Sequence, residues 1–235
     1  MESYYPYERL GKAISQEAER EAQERWDGVA KPLHGLGRLE DMLVRIAGIQ
    51  GTADVDVSRR AILVFCADNG ITAQGITQTD SHVTALVADN IAKGKASVNR
   101  MCQSSKTDVF AIDMGIRDTI HAPGMISCRI ADGTKDFSEE PAMSREEVIR
   151  AVDTGIRLVK EFRDRGYTIL GTGEMGIGNT TTAGAVAAAL LHLPAREMAG
   201  RGAGLSDEGL CRKRNVIDEA VRRYRLWEKP PLEVL

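Results

Sequence analysis

An α/β fold built on a parallel sheet is what this 235-residue sequence predicts, and three observations predict it. First, three apolar runs share one grammar. "AILVFCADNG" ends on Asp68, Asn69 and Gly70, "DVFAIDMG" on Asp113, Met114 and Gly115, and "YTILGTGEMG" on Glu174, Met175 and Gly176. Second, each run is continuously apolar rather than alternating, as in strands buried on both faces. Third, stretches of helical periodicity lie between the runs, so strands and helices alternate along the chain.

The elements follow in order. "GRLEDMLVRIAGIQ" sets Leu39, Met42, Leu43, Ile46 and Ile49 on one helical face. After the first strand, "SHVTALVADNIAKG" does the same with Val83, Leu86, Val87 and Ile91. The stretch from Arg117 to Pro141 follows the second strand, is rich in glycine and polar residues, and contains Pro123. It reads as an irregular excursion with room for a hairpin. "SREEVIRAVDTGIRLVKEF" opens with a capping box, Ser144 to Glu147, and carries Val148, Val152, Ile156 and Val159 as its stripe. The third strand leads through a glycine loop into an alanine-rich helix. Ser206 is placed to cap the last long helix, which is expected to run to about Trp227.

At 43% hydrophobic and 28% charged residues, the chain can bury a substantial core in one large domain, or in one plus a small appendage. A formal charge of -3, with basic residues scattered among acidic ones, gives no electrostatic footprint for nucleic acid. The beginning, "MESYYPYERLGKA", has no apolar core of signal-peptide length, and no uncharged run approaches a membrane span. These features read as a cytoplasmic protein without a membrane partner. Cys66, Cys102, Cys128 and Cys211 lie far apart with no C-x-x-C pair, which reads as reduced, mostly buried thiols. His34, His82, His121 and His192 are equally dispersed, so no metal site and no cofactor is expected.

In open parallel sheets, ligands sit beyond the carboxyl ends of the strands. All three runs place a carboxylate there: Asp68, Asp113 and Glu174. Any one of them could merely cap a loop, so their convergence is the informative feature. Gly171-Thr-Gly173-Glu-Met-Gly176 formally satisfies G-x-G-x-x-G, but the helix beyond runs into "LPAREMAGRGAGL", where a dinucleotide fold needs a second strand. Without Gly-Lys-Ser/Thr a triphosphate loop is excluded as well. What remains is a tight glycine turn followed by Asn179, Thr180 and Thr181 at a helix start. Converging amides, hydroxyls and the helix dipole suit a monophosphate. The alternative is an N-capped helix that uses glycines for close packing. Glu174 beside an anion site points to ribose hydroxyls or a ring cation on the same ligand.

"GEMGIGNTTTAGAV" resembles the phosphate loop of the nicotinate-nucleotide:dimethylbenzimidazole phosphoribosyltransferases, enzymes of cobamide lower-ligand synthesis. The likeness continues in order. "KPLHGLGRLEDMLVRIAGIQ" resembles the family's K-P-x-G-S-L-G-R-L-E signature, "ILVFCADNGI" its first core strand, and "VTALVADNIAKGKASVNRM" its V-T-x-x-x-x-x-N-x-x-x-G helix. "AIDMGI" is similar to its V-D-x-G-V strand end, and "GRGAGLSDEGLCRKRNVI" to its G-R-G-T-G-L...K segment. The resemblance implies a parallel Rossmann-like sheet flanked by helices. A small helical N-terminal subdomain would span residues 1–50, and an α/β nucleotide-binding domain 51–235. It implies that Gly176, Gly178, Asn179, Thr180 and Lys213 hold the nucleotide phosphate, with Glu174 near the ribose and the reacting centre; Thr181 of the glycine loop and the strand-end Asp68 and Asp113 are expected to bind substrate as well. Without the likeness, Lys213 within "RKR" reads as a solvated helix residue.

The chain departs from the family pattern at His34 and Gly35 in place of Gly-Ser, at Ala203 in place of Thr, and at Leu86 where many members carry Gln. These positions bear on the aromatic-base pocket and leave the base open. Family members also continue past "PPLEVL" to a late L-G-E-G-T-G-A motif whose glutamate is taken as the general base, and nothing here matches it. The expectation is a fragment, poorly active alone. The implied reaction is attack of a benzimidazole nitrogen on the anomeric carbon of nicotinate mononucleotide, giving α-ribazole phosphate and nicotinate without a metal, in a homodimer. The rivals are metal-dependent phosphoryl transfer through Asp68, Asp113 and Glu174, and a non-catalytic nucleotide-binding module.

Overall fold

The structure, a computed structural model, describes residues 13–118 and 122–235. Residues 1–12, all but the last of the N-terminal stretch "MESYYPYERLGKA", and residues 119–121 of the excursion, with His121, lie outside the described residues. The chain divides into two compact units, residues 1–58 and 59–235.

In the first unit, the Ser15 hydroxyl accepts the Ala18 amide and starts helix α1 (Gln16–Asp27). Helix α2 (Arg38–Gln50) begins at Gly37, and Glu40 reaches back to order the turn before it. One Glu40 oxygen accepts the Leu36 amide at 2.8 Å and the other accepts the Lys31 ammonium at 3.0 Å. The Leu36 amide above all, with Lys31 adding to it against the opposing effect of burial, holds the Glu40 carboxyl below its ordinary range. The buried face of α2 is not the apolar stripe. Leu39, Met42 and Ile49 are exposed, whereas Glu40, Ala47 and Gly48 are buried. The helices meet through small residues: Ala18 and Ala22 are buried on α1, and a Cβ on Gly48 would lie 2.5 Å from Glu19 Cγ.

The second unit carries strands β1 (Arg60–Ala67), β2 (Asp108–Gly115), β3 (Ile126–Ser127) and β4 (Ile169–Met175), all parallel, in the order β3-β2-β1-β4. Helices α3 (His82–Ala92) and α4 (Ser97–Ser104) follow β1, and α5 (Arg145–Asp164) precedes β4. Central β1 sends Ala61 and Leu63 toward Leu158 and Phe162 of α5, and Val64 and Cys66 toward Ala85, Ala88 and Ile91 of α3. Burial pushes the Cys66 thiol up to about 11. All four cysteines are unpaired, but only Cys66 and Cys102 are buried.

Three expectations change. β4 is not buried on both faces. Among the described residues it pairs only with β1, and Thr172 and Glu174 are exposed along it. The excursion after β2 forms no hairpin among its described residues; instead it adds β3, a short parallel strand beside β2. In α3, the buried positions are Thr84, Ala85, Ala88 and Ile91, and Leu86 is exposed. The Ser144 capping box does form: its hydroxyl accepts the Glu147 amide, and the Glu147 carboxylate accepts the Ser144 amide at 2.7 Å.

Beyond β4 come α6 (Asn179–Leu191), α7 (Ala195–Met198), α8 (Asp207–Arg223) and α9 (Pro231–Val234). Ser206 caps α8, accepting the Gly209 amide. That helix stops at Arg223 rather than near Trp227, because Arg225 turns left-handed at φ 52°. Ala185, Ala188 and Ala189 of α6 pack on Ile217 and Val221 of α8. Gly184 lets the helices approach, since a Cβ there would already lie 3.3 Å from Ile217 Cδ1. This close packing brings the first half of α8 to the start of α6.

Candidate functional site

The glycine loop is built by exclusion of side chains. At Gly176 a Cβ would stand 2.0 Å from the Ala67 carbonyl oxygen, so only glycine lets the chain cross the end of β1. Gly178 has φ 92° and packs on Thr72 and Asn69, which turns the chain into α6. The N-cap of α6 is this glycine, which has no side chain to cap the helix. Asn179 donates its amide to the Gly176 carbonyl and its side-chain oxygen accepts the Thr180 amide. The Thr181 and Thr182 amides also bond within the turn, to the Gly178 carbonyl, so what the helix start contributes is the positive end of its dipole rather than free amides.

Lys213 reaches this point from α8. It is 1% exposed, and its Nζ donates to Thr180 Oγ1 at 2.8 Å. Among the described residues no carboxylate lies within ion-pair distance of it, and burial lowers its ammonium below the ordinary lysine range. The backbone at Gly202, φ 56°, closes against the same hydroxyl, where a Cβ would stand 2.9 Å from Thr180 Oγ1. Nearby on α6, Thr181 Oγ1 is buried without a partner. A buried cation lacking a counter-charge is costly, and an anion seated there would offset the cost.

Glu174, exposed at the end of β4, lines a cleft of about 500 Å³. Asn69, Asn179 and Thr182 share its polar end, and Val186, Leu190 and Leu191 line its apolar length. The other two strand-end carboxylates are differently engaged. One Asp113 oxygen accepts the Gly115 and Ile116 amides, each at 2.9 Å, and the other accepts Arg129 Nη1 at 3.3 Å. Asp68 is buried, accepts the Arg117 amide at 2.8 Å through one oxygen, and leaves the other without a partner. No group of three His, Cys, Asp or Glu side chains is placed to hold a metal ion among the described residues.

The structure thus brings Gly176, Gly178, Asn179, Thr180, Thr181 and Lys213 together, with Glu174 at the adjoining cleft. Asp68 and Asp113 stand in the loops after β1 and β2. Sequence reasoning missed Asn69 and Thr84, which both reach the glycine loop. The only available signal was a polar residue at each of two otherwise apolar positions, the end of β1 and the inner face of α3.

The α/β fold with a parallel sheet agrees with the comparisons with known proteins. The profile of the phosphoribosyltransferase family matches residues 12–235, and the chain belongs to that family. Its relatives have a more particular name. The nicotinate-nucleotide–dimethylbenzimidazole phosphoribosyltransferase of Ruminiclostridium cellulolyticum is 40% identical over 224 residues, 95% of this chain and 64% of the relative. The enzyme of that name from Chloroflexus aurantiacus is 40% identical over 215 residues, 91% of this chain and 61% of the relative. The crystal structure of CobT from Thermus thermophilus matches with a TM-score of 0.87 at 36% identity, over 93% of this chain and 66% of that one. The chain therefore spans a little under two thirds of the length of these relatives.

Proposed function

We propose that this chain takes part in phosphoribosyl transfer from nicotinate mononucleotide to a benzimidazole-type base, giving α-ribazole phosphate and nicotinate for cobamide assembly. The observation that carries the reading is Lys213, a buried ammonium without a carboxylate partner among the described residues, hydrogen-bonded to Thr180 in the first turn of α6. The nucleotide phosphate supplies the missing charge, and Gly176, Gly178, Asn179, Thr180 and Thr181 surround it. Asp68 and Asp113 serve the substrate through the loops they hold after β1 and β2.

The chemistry follows from the leaving group. The base nitrogen forms a bond to the anomeric carbon while the bond to nicotinate breaks and its electron pair returns to the pyridinium ring, which becomes neutral. No Lewis acid is needed for that departure. Glu174, exposed at the cleft, stabilises the positive charge that develops on the ribose. A proton acceptor must also take the N–H proton of the incoming base.

The same reading makes the protein a cytoplasmic homodimer with residues 1–50 as a helical subdomain. Its four unpaired thiols support a reducing compartment, and sedimentation equilibrium tests the dimer. The decisive experiment for the site is calorimetric titration of nicotinate mononucleotide in the presence of EDTA. Binding is expected to persist. Loss of binding in EDTA, restored by magnesium, would transfer the assignment to metal-dependent phosphoryl transfer.

A further inference from the structure

The Ile177 peptide, at the centre of the glycine loop, is held from both sides. Its N–H donates to Thr84 Oγ1 at 3.0 Å, and its carbonyl accepts from Asn69 Nδ2 at 3.2 Å. Thr84 is fully buried in the first turn of α3, and Asn69 is 8% exposed just past β1. Asn69 makes a further tie, its Oδ1 accepting the Thr182 hydroxyl at 2.8 Å. One asparagine therefore fastens the end of β1 both to the loop and to the first turn of α6. Its Cβ also lies where Gly178 leaves room, 3.1 Å from the position a Cβ there would take.

A glycine-rich turn has more conformational freedom to lose on ligand binding than any other segment. Fixing one peptide plane at both its N–H and its C=O removes much of that freedom before the ligand arrives, and preorganised donors bind more tightly for that reason. We propose that Asn69 and Thr84 are positioning residues that hold the Ile177 peptide so that the turn into α6 presents Thr180, with Lys213 bonded to it, to the nucleotide phosphate. The inference rests on the phosphoribosyl-transfer reading of this loop. Neither residue is part of the loop, and neither need touch the phosphate.

The test compares affinities for nicotinate mononucleotide and nicotinate riboside, which differ by the phosphate alone, while the unfolding midpoint is followed in parallel. The wild-type chain is expected to prefer the mononucleotide. Asn69→Asp removes the donor to Ile177, Thr84→Val removes the acceptor while keeping the shape, and Thr84→Ser keeps the hydroxyl. The first two are expected to reduce the preference by about fivefold to tenfold, the effect of losing one buried hydrogen bond, and Thr84→Ser to retain it. A merely structural role would weaken both ligands together and leave their ratio unchanged, and that result overturns the inference. Should Asn69→Asp fail to fold, the two Thr84 variants decide alone. A wild-type chain that binds both ligands equally would instead refute the phosphate-loop reading itself.

Discussion

The loop after β2 and the loop after β4 leave the same edge of the sheet, yet they treat their polar groups in opposite ways. In the first, Asp113 is saturated by two backbone amides and Arg129, and Arg129 in turn meets Asp132 and the Ile116 carbonyl. Where the second runs into α6, Lys213 of α8 is buried with one hydroxyl for a partner, and Thr181 Oγ1 of α6 has none. Saturated groups build a loop, and groups left short are prepared for something that comes and goes. A carboxylate at a strand end is therefore a poor guide to ligand binding until its hydrogen bonds are counted. By that measure Asp113 is expected to act through the framework of the loop it holds, and Lys213 to meet a ligand directly.

The comparison breaks most visibly if Asp113 proves dispensable. Asp113→Ala leaves the Gly115 and Ile116 amides and the Arg129 guanidinium without their acceptor, and is expected to cost about 2–4 kcal/mol of stability. Nucleotide affinity should change little under conditions where the variant stays folded. Urea unfolding followed by calorimetry on the folded variant measures both. Lost affinity with stability intact would move Asp113 from the framework into the site.

Lys213→Met has the opposite expected signature. Removing a charge-assisted contact to phosphate is worth about 1.5–3 kcal/mol, so nicotinate mononucleotide should bind roughly tenfold to a hundredfold more weakly. Folding stability should hold or rise, because an uncompensated buried charge has been replaced by an apolar chain of similar length. A fall in stability of the size expected for Asp113→Ala would show that the ammonium is balanced in the free protein, and the contrast between the two loops would disappear.

How far the sequence revealed this arrangement depends on how local each cause is. The strand ends, the Ser144 capping box and the glycine turn were legible because neighbouring residues determine them. The buried faces of α2 and α3 were not. Close helix and sheet contacts there select Ala47, Gly48, Thr84, Ala85 and Ala88, and a search for large apolar residues passes over these. Lys213 within "RKR" reads as solvated until Gly184 and Ile217 draw α8 onto α6. Asn69 and Thr84 reach the Ile177 peptide across 108 and 93 residues of chain, a separation at which no pattern in one sequence carries a signal. The edge position of β4 is likewise a property of the sheet, not of the segment.

The smallest expected effect, and the one that isolates the missing charge, is the response to alkaline pH. Burial places the Lys213 ammonium below its ordinary value of 10.5. Between that lowered value and the unfolded value, the unfolded chain holds the proton that the folded chain has released. Stability should therefore rise with pH across this window, and not below it, where both states are charged. The slope cannot exceed about 1.4 kcal/mol per pH unit for one group. A bound phosphate reverses the balance by restoring the favourable charge, so anion binding should raise the lysine's affinity for its proton. Binding should then weaken as pH rises through the free protein's value and be accompanied by proton uptake. Phosphate titrations in buffers of different ionisation enthalpy measure that uptake, and Lys213→Met should abolish it together with the alkaline gain in stability. Uptake that survives in Lys213→Met would mean that another group meets the anion, and the deficit at the β4 loop would have to be assigned elsewhere.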